Sequence, residues 1–156
     1  MVRLNRLRWT KIRECDGAAM VEFAIGSTVL IMFILGIIEF GFLWYQKQVI
    51  TNASREGARY GITYKKVTGS DVRLSPKNFS PTIQTVVTDY LSDRIPAGSF
   101  TISVSGDGYN AANGIEIKGW DVVVLVTCTN KMDLLSGFIP SLASITFKGQ
   151  SIMKCE

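Results

Sequence analysis

Histidine does not occur anywhere in the 156 residues, which removes the usual general base near neutral pH and the commonest metal ligand. Serine and threonine are plentiful, yet none stands in a pattern with a group that would activate it. Asp107, Glu116, Asp121 and Asp133 are scattered singly. The sequence therefore predicts no catalytic residue, metal site, cofactor or small-molecule substrate. Nucleic acid is excluded by where the charge lies. Of the net charge of +4, +3 belongs to residues 1–17, where Arg3, Arg6, Arg8, Lys11 and Arg13 outweigh Glu14 and Asp16. The rest has no basic stripe, no RNA-binding aromatic motif and no zinc-finger spacing.

Charge is also missing from residues 23–38, and after the single Glu39 the residues 40–45 are again apolar or glycine. As a helix, residues 23–45 span roughly 34 Å, close to the roughly 30 Å of bilayer hydrocarbon. One transmembrane helix is predicted. The basic tail before it and Phe42, Trp44 and Tyr45 at its end follow the positive-inside rule and the aromatic belt. That polarity puts the N-terminus in the cytoplasm and everything after Tyr45 outside.

A secretory signal would be cut after the apolar core at a small-x-small site. Here the core ends in Phe42-Leu43-Trp44-Tyr45-Gln46, which offers none, and Cys15 precedes the apolar run where a lipoprotein cysteine would follow it. The remaining route is a cut before the span. Gly17, followed by Ala18-Ala19-Met20-Val21-Glu22-Phe23, resembles the processing site of type IV prepilins, in which a peptidase cleaves after glycine and the fifth residue of the new chain is glutamate. Gly17, Ala18 and Glu22 stand at the matching places.

The segment LGIIEFGFLWYQKQVITNASREGARYG, residues 35–61, strongly resembles the TadE-like family of pilin-like proteins from tight-adherence pilus systems. Glu39-Phe40-Gly41 and the run from Asn52 through Arg55, Glu56, Gly57 and Arg59 to Tyr60 carry the likeness, which with GAAMVEFA covers about residues 16–61. The resemblance implies a leader, residues 1–17, removed by a prepilin peptidase. It also implies a structural role as a minor pilin-like subunit needed for pilus assembly, held in the inner membrane. The implied partners are other pilins, the prepilin peptidase, the assembly platform and the lipid bilayer. In the filament arrangement implied by pilins, Glu22 of an incoming subunit pairs with the free amine of its neighbour. Glu22, Glu39, Arg55, Glu56, Gly57 and Arg59 are the candidate assembly residues. A membrane-tethered periplasmic binding or assembly module that never enters a filament would share the anchor and head but keep its leader; an anchored enzyme would need a constellation that is absent.

The periodicity agrees with a long helix. Val49, Ile50, Ala53, Gly57, Ala58 and Tyr60 recur at spacings of three and four, predicting a helix over residues 18–61. Ala53, Gly57, Ala58 and Gly61 would let a sheet come close to its outer half. The head, residues 62–156, reads as α+β. Residues 64–80 are a loop; Ser80-Pro81 reads as an N-cap and first-turn proline; Ile83, Val86, Val87, Tyr90 and Leu91 form one stripe of a short helix. Residues 100–104, 120–129 and 145–153 read as strands of an antiparallel sheet of three or four. Residues 106–114 read as a hairpin loop, and residues 134–142 as a loop with exposed apolar side chains.

Loss of the leader would take Cys15 and leave Cys128 and Cys155 in an oxidising compartment, where a pair suggests a disulfide. In a simple hairpin of the last two strands, however, the two would stand about 30 Å apart, against the 7 Å or less a bridge needs. A disulfide requires another sheet order.

Overall fold

The computed structural model describes residues 6–95, 99–130 and 144–155, with the side chains of residues 6–16 and Asn130 excepted. The first element, α1, is a single helix from Arg6–Ile62. The chain divides into two compact units, Met1–Phe40 and Gly41–Glu156.

In the first unit the described side chains are mostly apolar and turned outward: Phe23 is 77% exposed and Phe33 69%. Ser27 and Thr28 do not disturb this surface, because their hydroxyls donate back to the Ala24 carbonyl at 3.0 and 2.8 Å, hiding both polar groups against the helix.

The second unit begins with the outer part of α1, and there the helix acquires an inward face. Leu43, Gln46, Ile50, Ala53, Gly57 and Gly61 are all buried, and their spacing of three and four keeps them on one side. The chain then makes an isolated bridge between Lys66 and Arg73 and a 3-10 turn at Pro76–Asn78 before α2, Ile83–Ser92. Three strands follow: β1, Phe100–Ser105; β2, Asp121–Asn130; and β3, Ile145–Lys154. A four-residue helix, α3, at Asp107–Asn110 sits in the connection from β1 to β2. The sheet is antiparallel with order β1-β2-β3.

Why the sheet forms is plain from β2. Val122, Val124, Val126 and Cys128 alternate toward the core and are essentially fully buried, while the residues between them face outward, the period of two that a one-sided sheet imposes. Against this face pack Ile50 and Ala53 of α1 and Ile83, Val87 and Leu91 of α2. A β-carbon on Gly57 would collide with a Val87 methyl and stand 3.3 Å from Val124 and 3.6 Å from Ile83. Gly57 is therefore the point where helix α1, helix α2 and the sheet meet.

The α+β architecture, with a long apolar N-terminal helix, one further principal helix and three antiparallel strands, is as the sequence predicts. Three details differ. Helix α1 runs back to Arg6 and does not start at Ala18, since residues 6–16 carry no helix breaker. Helix α2 begins two residues later than Ser80-Pro81 implies: Thr82 is its N-cap, accepting from the Thr85 N–H at 3.1 Å, and the Ser80–Pro81 peptide is cis. The expected hairpin loop of residues 106–114 contains a helical turn at Asp107–Asn110. Cys128 and Cys155 are free thiols. The last two strands pair as a hairpin, with Cys128 opposite Phe147 and Cys155 beyond the Asp121–Lys154 pair, so the cysteines sit at opposite ends of the ladder. The bridge is not made, for the reason the hairpin geometry gives. The expected loop at residues 134–142 lies outside the described residues.

Candidate functional site

The candidate processing and assembly residues all lie on α1, and they fall into three settings. Gly17, Ala18 and Glu22 stand in continuous helix and are exposed. A β-carbon on Gly17 would meet nothing within 4 Å, so no packing inside the chain requires glycine there. Glu22 likewise leaves its carboxylate at the surface, ahead of the exposed apolar run.

Glu39 is different. It is 7% exposed, between Ile38 at 58% and Phe40 at 64%. Sequence reasoning placed it in an apolar belt but had no means of seeing this burial. Gln46 and Lys47 were missed altogether. Gln46 is 2% exposed, and its Oε1 is buried with no hydrogen-bond partner among the described residues. Lys47 Nζ donates to the Lys148 carbonyl of β3, tying helix to sheet edge.

Arg55, Glu56 and Arg59 point outward, on the side of α1 opposite the sheet. Gly57, between them in sequence, points inward. It is committed to the head's own interior and leaves the set of residues available to another subunit. The structure thus separates a motif that reads as continuous in sequence: three exposed charges on one face, and a buried glycine and alanines on the other.

Elsewhere in the head an open cleft of about 540 Å³ is lined by Tyr64, Asp71, Val72, Arg73, Ile115, Glu116 and Lys118 with Gly114. The Arg73 guanidinium stacks over the Tyr64 ring, 5.1 Å from its centroid. Both signs of charge line the cleft. Among the described residues no three acidic or cysteine side chains gather in a way that would hold a metal ion. Burial acts on two thiols of the head. Burial pushes Cys128 up; burial pushes Cys155 up as well, opposed by the nearby Arg73 charge and assisted by Asp121. Raised values mean thiols that stay protonated and unreactive at neutral pH.

The helix from Gly17–Ile62 is long and apolar enough to cross a membrane, with a mean hydropathy of 2.3 over its most apolar window. A family model described as TadE-like protein matches residues 17–59, so the resemblance read from the motifs is borne out over that stretch. The match opens at Gly17 and closes at Arg59, spanning the candidate residues on α1. No curated protein and no solved structure matches the chain significantly. Over residues 17–59, then, the chain is similar to TadE-like proteins, a pilin-like, structural class associated with tight-adherence pili, and that likeness does not extend over the head.

Proposed function

We propose that this protein is a minor pilin-like subunit required for assembly of a tight-adherence pilus. It is made as a precursor, cut between Gly17 and Ala18 by a prepilin peptidase, and held in the inner membrane by residues 23–45 with the N-terminus cytoplasmic and the head periplasmic. From there it is recruited to the assembly platform and to other pilins. One observation carries the reading: the TadE-like match begins at Gly17, on a helix whose following residues are apolar and exposed.

Glu22 supplies the recruitment step. An acidic residue in the first turn of the new helix gains only about 0.3–1 kcal/mol from the helix dipole, whereas a charge in hydrocarbon costs about 2.5–3.5 kcal/mol at the bilayer centre. The local effect is too small to account for the residue. Pairing of Glu22 with the free amine of a neighbouring subunit accounts for it and sets axial register. Arg55, Glu56 and Arg59 are further assembly determinants, the three exposed charges of the outer helix turned toward the heads of other subunits, while Glu39, buried in the single chain, reaches a polar group of a neighbouring helix only if assembly uncovers it.

The test uses a strain that has the prepilin peptidase. The mature chain should begin Ala-Ala-Met-Val-Glu, and Gly17→Leu should leave an uncut precursor. Glu22→Leu should still be cut yet should not be recovered with other pilins from solubilised membranes. A chain that retains Met1 and never co-purifies with pilins would instead be a tethered periplasmic module, and a Glu22→Leu variant recovered with its partners at wild-type yield would remove the pairing role.

A further inference from the structure

Three close approaches fix how the sheet lies on the outer part of α1. A β-carbon on Gly61 would stand 3.0 Å from Val122, one on Gly57 3.3 Å from Val124, and one on Gly149, the ladder partner of Val126, 2.8 Å from the Ile50 carbonyl oxygen. Going back along α1 from Gly61 to Ile50 is therefore going forward along β2 from Val122 to Val126. The Asn130–Ile145 end of the β2–β3 pair lies at the foot of the head, where α1 enters it.

That foot overlaps the apolar span. From Gly149 to Ile145 the strand covers about 13 Å, which along the helix moves the level from Ile50 to about residues 41–43. The span predicted at residues 23–45 is still in its last turn there. Two observations agree. Lys47, just past the span, donates to the Lys148 carbonyl. Leu43, inside the span, is 6% exposed, whereas its neighbours Trp44 and Tyr45 are 59% and 51% exposed. Protein covers Leu43 on the side where a free span would meet lipid.

The residues of the foot suit a bilayer surface. The stretches TCTN, 127–130, and ITFKG, 145–149, carry Lys148 and no carboxylate, and Thr129, Thr146 and Lys148 are exposed. With Tyr45 at the edge of the hydrocarbon, Lys148, about 10 Å above Ile145, falls in the headgroup layer, which adds roughly 5–8 Å to each side of a bilayer. A lysine at that depth lays its stem along the apolar layer and turns its ammonium to lipid phosphate, which would repel a carboxylate. The sequence that joins the two strands includes Leu134, Leu135, Phe138, Ile139 and Leu142, a composition that favours lipid over water beside the strand ends.

We propose that the Thr129–Thr146 end of the sheet is seated in the headgroup layer of the bilayer that α1 crosses, so that the head rests on the membrane and does not stand clear of it. The inference rests on the reading of residues 23–45 as a membrane span, and the test separates the two.

The full chain, in a Cys15→Ser background that leaves the buried Cys128 and Cys155, is reconstituted in liposomes of phosphatidylcholine and phosphatidylglycerol and carries a fluorophore on one introduced cysteine. A lipid with a nitroxide on its headgroup should quench Thr146→Cys several-fold more than Ile152→Cys, an exposed position about 20 Å further along the same strand. Thr129→Cys, across the ladder from Thr146, should repeat the result. Equally weak quenching at 146 and 152 would overturn the proposal by lifting the head off the bilayer, and equally strong quenching would overturn it by laying the whole strand on lipid. A label at Phe33→Cys, in the exposed apolar run, reports the span itself through a nitroxide in the acyl chains. If Phe33→Cys is quenched and Thr146→Cys is not, this inference alone fails; if Phe33→Cys is unquenched, the span fails and takes the inference with it. A position 146 that is unquenched in liposomes but blocked to a maleimide in native membranes would give this end of the sheet to a protein partner, and lipid seating would be wrong.

Discussion

Gly149 of β3 lies directly against the main chain of Ile50: a β-carbon there would stand 2.8 Å from the Ile50 carbonyl oxygen and 2.9 Å from its carbon. The obstructing atoms are helix backbone, which cannot swing aside as a side chain would. Gly149→Ala should therefore destabilise the head by about 1–3 kcal/mol, the usual cost of overpacking, read as a lower denaturant midpoint at unchanged slope. An unchanged midpoint would mean that α1 and β3 are not held this close.

The cap of α2 makes a smaller and more local prediction. Thr82 accepts from the Thr85 N–H at 3.1 Å, satisfying one of the helix's orphan donors. Thr82→Ala should cost about 1 kcal/mol, and Thr82→Ser much less. Thermal melts of the two variants separate the hydroxyl from the methyl group; equal losses would show that the contact is packing and not a cap.

The buried thiols predict a pH dependence. Burial raises Cys128 above the ordinary thiol value of 9.0 in the folded state, and Cys155 likewise. A raised folded value means the unfolded chain releases the proton first, so this contribution is intact below the unfolded value and is lost as pH climbs through the folded one. The urea midpoint should be insensitive to these groups at neutral pH and should fall above roughly pH 9. In Cys128→Ala the alkaline decline should be shallower, and an identical decline would exclude that thiol as its source.

The outward charges of α1 permit a separation of folding from assembly. Arg55 and Arg59 are exposed, so Arg55→Glu/Arg59→Glu should shift stability by no more than about 0.5 kcal/mol per site. Co-purification with other pilins should nevertheless collapse. Full recovery of partners with the charge-reversed protein would leave these arginines as solvent-facing residues without a role in assembly.

The parts legible in the sequence are those where one regular element writes its own period. Val49, Ile50, Ala53 and Ala58 announce the buried side of α1, and the β-branched run at 120–129 announces β2, Asp121–Asn130. Cys128 and Cys155 show where local reading stops: their separation depends on which strands are neighbours, and only the observed order decides it. The start of α2 was misplaced because Ser80-Pro81 and Thr82 satisfy the same capping chemistry, and the chain uses the later one. Four residues of α3 are too few to show a period. The burial of Gln46 and the reach of Lys47 to Lys148 arise from contacts that no window of neighbouring residues contains.

That last contact joins positions 101 residues apart, and it sets a schedule for biosynthesis. The outer part of α1 is among the first head segments to leave the ribosome and β3 is the last, yet each completes the other: Ile50 and Ala53 have no sheet to rest on until β2 and β3 arrive. Contacts of such long sequence separation are slow to close, and until they do, the apolar side of α1 stays uncovered. The contact between α1 and β3 waits for β3, which follows the other described elements of the head in the chain.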